Sequence, residues 1–199
     1  MKLQRITVFC GSSPGGDPAY AEAARALGAR LAQEGIGIVY GGGRVGMMGQ
    51  LAQAALDQGG EVIGVITRHL YNMEVGHTGT DLRIVGDMHR RKADMAELGD
   101  GFIMLPGGLG SLDEFFEAAT WSQLGLHAKP CGILNVNGYF DRLLGFLGHA
   151  KAELFMAPQA RSLVHADIDI DALLSWMRQF EPTPPDKGAW AKALSRLEA

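Results

Sequence analysis

Blocks of apolar residues separated by small-residue loops and helical periodicities run through the whole chain. Ile6, Thr7, Val8, Phe9 and Cys10 form a strand-like run that ends in the loop 11–16, and Pro18 then opens a helical pattern through residue 32. The unit repeats. Strands are predicted at 35–40, 61–67, 82–85, 102–105, 131–136 and 162–165, with helices at 46–58, 88–98, 111–124, 139–152 and 170–180. Ser111 and Glu114 have capping-box spacing at the start of the helix that follows the fifth of these strands. Several strands are apolar without polar alternation, as expected where both faces are buried, so the pattern predicts an α/β open parallel sheet with helices on both faces. Residues 68–81 show no clear periodicity and are expected to form a flexible loop over a site. Residues 1–180 read as one domain, and the proline-bearing segment 181–199 as a linker with a peripheral helix around Trp190.

Composition narrows the function. Gly is the outlier, with 28 copies clustered at a few strand ends, which points to special backbone geometry there. The net charge is -4 and the densest basic run is Arg90-Arg91-Lys92, enough for one phosphate or carboxylate but too little for a nucleic-acid footprint. No apolar run reaches the roughly 20 residues of a membrane span, and the N-terminal residues lack a signal-peptide pattern, so a cytoplasmic protein is expected. Cys10 and Cys131 sit inside apolar runs and are read as buried thiols, and the six histidines show no metal-ligand spacing.

Ligands of open parallel sheets bind outside the carboxyl ends of strands, where helix N-termini present free N–H groups. Three such ends are glycine-rich here. Gly41, Gly43 and Gly46 formally match a dinucleotide fingerprint, but the motif is not on the first strand and the acidic Glu61 lies only 15 positions past Gly46, before the third strand. Residues 107–111 could hold a phosphate on backbone amides and the Ser111 hydroxyl, and they lack the Lys of a triphosphate-binding loop. If the fourth and fifth strands are neighbours, the basic residues after the one and Asp113 and Glu114 after the other face one crevice.

The strings 41–49 (GGGRVGMMG), 88–95 (MHRRKADM) and 106–114 (PGGLGSLDE) closely resemble the Lonely Guy family of cytokinin riboside 5'-monophosphate phosphoribohydrolases, many of them long labelled lysine decarboxylases. The resemblance runs from about residue 6 to 164. It implies a Rossmann-like sheet, usually in a homodimer, and a reaction that releases free base and ribose 5-phosphate from a nucleoside 5'-monophosphate with water, without metal or cofactor. Residue by residue it implies Arg91 and Glu114 as the catalytic pair. Gly41, Gly42, Gly43, Glu74, Lys92, Gly108, Leu109, Gly110, Ser111, Leu112, Asp113 and Thr120 would then bind substrate. The family's usual Thr is Ser111 here, which keeps the hydroxyl.

The chemistry is consistent with that resemblance. Cleaving an N-glycosidic bond develops positive charge at the anomeric carbon, which a carboxylate can stabilise while it orients water. Glu114 suits this role. Arg91, a permanent cation, suits anion contact and positioning. Asp87 and Glu74 are open candidates for protonating the departing base. Lysine decarboxylation would need a Schiff-base lysine, and Lys92 beside Arg91 reads better as an anion contact. The alternative from another class is a carrier of a phosphorylated cofactor such as the molybdenum cofactor, which would have no use for a carboxylate near a ribose.

Overall fold

A computed structural model describes residues 2–74 and 76–182. Its strands are β1 Arg5–Phe9, β2 Gly37–Tyr40, β3 Val62–Thr67, β4 Asp81–Val85, β5 Gly101–Met104, β6 Cys131–Leu134 and β7 Val164–Asp167. Its helices are α1 Pro18–Gln33, α2 Gly46–Asp57, α3 Arg68–Glu74, α4 Met88–Leu98, α5 Leu109–Gln123, α6 Asp141–Ala152, α7 Pro158–Ser162 and α8 Ile170–Gln179. The strands pair in parallel in the order β4-β3-β2-β1-β5-β6-β7. The expected open parallel sheet is therefore present.

Burial explains which strands lost their alternation. β2, β3, β5 and β6 are buried at every position, because one layer of α1, α2 and α8 covers one face and one of α4, α5 and α6 covers the other. β4 is an edge strand. It exposes Asp81 and Arg83, which pair with each other, and such charges discourage pairing with a further strand. On the opposite edge β7 is protected partly by Trp176 of α8, whose ring stacks on His165 at 4.4 Å. Cys10 and Cys131 are free and buried, and desolvation pushes the Cys131 thiol up to about 12.

The chain builds three strands outward from β1, then returns across the sheet and continues with β5 on the other side of β1. That reversal opens a crevice beyond the carboxyl ends of β1 and β5. The fourth and fifth strands are thus not neighbours, since β3, β2 and β1 lie between them. The crossover helix α4 spans the gap and packs against β3, β2 and β1.

Three local expectations are corrected. Residues 68–74 form α3 and not a loop, because the Thr67 hydroxyl accepts from the Leu70 N–H at 3.2 Å and starts the turn. The following residues are tied to the glycine loop by a Gly43–Gly76 bridge and by the His77 N–H donating to the Gly42 carbonyl at 3.0 Å. Ser111 is not the cap of α5: the helix starts at Leu109 with Gly108 as its cap, and Ser111 is buried in the first turn. The seventh strand begins at Val164, after the short helix α7. The linker and Trp190 helix expected over 181–199 lie outside the described residues from 183 onward.

Candidate active site

A cleft of about 390 Å³ occupies the switch point. Cys10, Gly11 and Ser12 from the end of β1, Met48 of α2, Leu70 of α3, Met88 and Arg91 of α4, and residues 108–111, 113 and 114 of the α5 entry line it. Three loops meet behind it. The Gly11 N–H donates to the Pro106 carbonyl at 3.1 Å, joining the β1 and β5 loops. Gly46, at φ 62°, brings the β2 loop against the first: a Cβ there would lie 2.1 Å from the Ser12 carbonyl oxygen. Alanine at this position would meet both backbone strain and a hard clash, so G46A is expected to destabilise the fold by about 2 kcal/mol or more in urea unfolding.

Arg91 is the centre of the site. It is 5% exposed, and its guanidinium donates from Nε to the Val65 carbonyl at 2.9 Å and from Nη2 to the Gly41 carbonyl at 3.4 Å. Its Nη1 donates to Glu114 Oε1. Four elements therefore fix one cation: α4 carries it, β3 and the β2 loop accept from it, and α5 neutralises it. Gly41 is required by this arrangement, because a Cβ would sit 2.5 Å from Nη2. Gly41, Gly42 and Gly43 are buried behind Arg91 and do not line the cleft.

Glu114 is held one turn into α5 with only its Oε1 engaged; Oε2 has no hydrogen-bonding partner among the described residues. Burial raises the carboxyl above the ordinary value, with Arg91 pulling in the opposite direction. A carboxylate so placed can accept a proton from water more readily than a solvated one. Beside it the N–H groups of Gly108, Leu109, Gly110 and Ser111 have no acceptor among the described residues. They are the unsatisfied donors of a helix N-terminus, with the positive dipole end behind them.

The remaining expected residues fall elsewhere. Lys92 does not line the cleft; its Nζ bridges Asp113 at 3.2 Å and Glu117 at 3.0 Å, bracing α4 against α5. Burial disfavours its charge, but the hydrogen bonds to Glu117 and Asp113 outweigh this and hold its pKa above the usual value. Leu112 packs into the core beneath α5. Thr120 is exposed nine residues beyond Ser111, about 13 Å along the helix axis. Glu74 is the last residue of α3. Asp87 is exposed and caps α4, accepting from the Arg90 N–H at 2.8 Å. Cys10, Ser12, Met48, Leu70 and Met88 were not singled out from sequence. The strand-then-small-residue loop at 10–16 is the available signal for the first two, Met48 and Met88 lie inside the motif strings 41–49 and 88–95, and nothing local marks Leu70.

A lysine suited to a Schiff base would be a free amine in the cleft. Lys92 is instead a held cation. Lys129, lowered by desolvation, donates to the Ala96 carbonyl at 2.6 Å and precedes β6, at the opposite edge of the sheet.

A family model described as "Possible lysine decarboxylase" matches residues 48–177. A cytokinin riboside 5'-monophosphate phosphoribohydrolase of Rhodococcoides fascians is 50% identical over 175 residues, 87% of this chain and 88% of that protein. One from Arabidopsis thaliana is 46% identical over 182 residues, 91% of this chain and 84% of its own length. Among solved structures, the molybdenum cofactor binding protein of Rippkaea orientalis superposes with a TM-score of 0.68 at 23% identity, covering 90% of this chain and 98% of that one. The molybdenum cofactor carrier protein of Chlamydomonas reinhardtii gives a TM-score of 0.67 at 20% identity, over 89% and 98% of the two chains. At such identities these two share the fold alone. By the family match and by relatives at 46% and 50% identity over most of its length, the chain belongs to the Lonely Guy family, that of the cytokinin riboside 5'-monophosphate phosphoribohydrolases.

Proposed function

We propose that the cleft hydrolyses the N-glycosidic bond of a nucleoside 5'-monophosphate of the cytokinin riboside type, giving the free base and ribose 5-phosphate. The observation that carries this reading is a largely enclosed carboxylate, Glu114, one turn from a set of unpartnered amides in a single cleft. The amides of residues 108–111 and the Ser111 hydroxyl receive the 5'-phosphate, which places the ribose against Glu114 and supplies orientation. Glu114 Oε2 orients water toward the anomeric carbon and accepts its proton as the carbon–oxygen bond forms. The carbon–nitrogen bond breaks, its electron pair leaves with the base, and the base takes up a proton. Arg91 touches the reaction through Glu114, keeping the carboxylate ionised despite burial. Met48, Leu70, Met88 and the highly exposed Leu109 give the cleft an apolar wall for the base.

A carrier needs the amides but not the carboxylate. Glu114, buried with its guanidinium partner, is costly to fold around and favours the catalytic reading. Residues 1–180 act as the catalytic domain of a cytoplasmic homodimer in this reading; no described helix is long and apolar enough to cross a membrane, and the exposed Leu124 and Leu126 at the end of α5 suit a subunit contact.

The test is incubation of the purified chain with N6-isopentenyladenosine 5'-monophosphate, AMP and the unphosphorylated riboside, following free base by chromatography. Release from the two nucleotides, the prenylated one faster, and little from the riboside is expected. Nucleotide binding without release of base would overturn the hydrolase and leave a carrier. The same preparation, sized by light scattering, is expected at twice 21.3 kDa.

A further inference from the structure

The loop before α5 contains two consecutive glycines, Gly107 and Gly108, and both conformations of the peptide between them are accessible to such a pair. In one, the Gly108 N–H faces the cleft; in the other, the Gly107 carbonyl does, and its partial negative charge would repel a phosphate. The Tyr139 hydroxyl donates to the Gly107 carbonyl at 2.7 Å. Because a trans peptide is planar, with C=O and N–H pointing to opposite sides, anchoring the carbonyl on Tyr139 directs the Gly108 N–H away from Tyr139. Gly108 lines the cleft and Tyr139 does not.

Tyr139 is itself placed by a built turn after β6. Asn135, buried, accepts from the Phe140 N–H at 2.8 Å and donates to Asp141 at 2.7 Å, while Asn137 at φ 49° and Gly138 at φ 68° reverse the chain. Asn137 donates to Asp17 at 3.1 Å, and the Tyr139 ring meets Tyr20 edge-on at 5.5 Å and Phe140 at 4.8 Å. The turn therefore joins the loops after β1, β5 and β6 at one aromatic side chain. A left-handed Asn and a buried Asn spent on one N–H and one carboxylate are a costly way to present an otherwise exposed tyrosine.

We infer that Tyr139 is a positioning residue that locks the Gly107–Gly108 peptide with its N–H toward the anion, setting the affinity of the site for the substrate's phosphate. The inference rests on the phosphoribohydrolase reading for its substrate, but the lock can be measured without turnover. Flipping the peptide would carry Gly108 from its observed φ of -100° to a positive φ. An added Cβ at Gly108 meets nothing within 4 Å, so alanine there is tolerated in the observed state and disfavours the flipped one.

The experiment is calorimetric titration of the native chain, Tyr139→Phe, Gly108→Ala and the double variant with inorganic phosphate and with AMP. Phe keeps the ring contacts and removes only the hydroxyl. The expected result is a loss of about tenfold in affinity for both probes in Tyr139→Phe, comparable with one hydrogen bond. That loss should shrink to about threefold or less when the same change is made in Gly108→Ala. Unchanged phosphate affinity in Tyr139→Phe would overturn the lock. So would a loss accompanied by a lower melting temperature and undiminished by Gly108→Ala, the mark of a merely structural tyrosine. Failure of the native chain to release base while it binds phosphate would overturn the hydrolase reading and leave the lock standing on the titrations.

Discussion

Replacing Glu114 by Gln is expected to lower the rate of base release by about 10³-fold, within the range for loss of a positioned acid–base or electrostatic group. The amide oxygen can still accept from Arg91, and the side chain makes no other hydrogen bond among the described residues, so the fold and the nucleotide affinity should survive. The native protein should show an acid limb in kcat/KM at a pH above the ordinary carboxylate range, because burial raises Glu114 and the carboxyl works only when ionised. Gln should abolish that limb. The stability of the native protein carries the same signature with the opposite benefit. With the folded value above the unfolded one, the contribution of Glu114 is full below the unfolded pKa and is lost as pH rises through the folded one. A variant that retained most of its turnover would place the reaction on another group and sink the role assigned here.

Arg91→Ala is expected to be the most damaging single change in the site. It removes the donor to the Val65 and Gly41 carbonyls and leaves a buried carboxyl without its cation. Breaking such a pair from one side costs about 3 kcal/mol or more, measurable as a drop in the denaturation midpoint. Activity should fall with it, because Glu114 freed from Arg91 is pushed further up and spends more of its time protonated at neutral pH. That supplies a distinguishing observation: base release by Arg91→Ala should recover as pH is raised, whereas Glu114→Gln should not respond. Wild-type stability in the alanine variant would mean that the guanidinium does not tie β3, the β2 loop and α5 to α4 as described.

Much of this was legible before any coordinates. The apolar runs and glycine-rich ends are local consequences of strands buried on both faces and of tight strand-to-helix turns, so fold class and the loop 107–111 could be read directly. Arg91 and Glu114 are marked by the motif resemblance, while the expectation that they face one crevice rests on the fourth and fifth strands being neighbours. β4 and β5 are instead separated by three strands, and it is the crossover of α4 that delivers Arg91. The helix at 68–74 was missed because its start depends on one side-chain hydrogen bond from Thr67, which has no periodicity to reveal it.

By itself, then, the sequence determined what depends on neighbours along the chain: an α/β parallel sheet, the glycine turns at its carboxyl edge, and the residue types able to bind phosphate and act on a glycosidic bond. Tertiary structure decided what depends on neighbours in space. It set Gly41 behind a guanidinium and did not line the cleft with it, and it engaged Lys92 with two carboxylates. It also brought Tyr139 to a glycine carbonyl 32 residues away. Periodicity encodes which face of an element is buried, but not which strand end meets which helix start; that follows only when the chain crosses its own sheet and the order of strands is fixed.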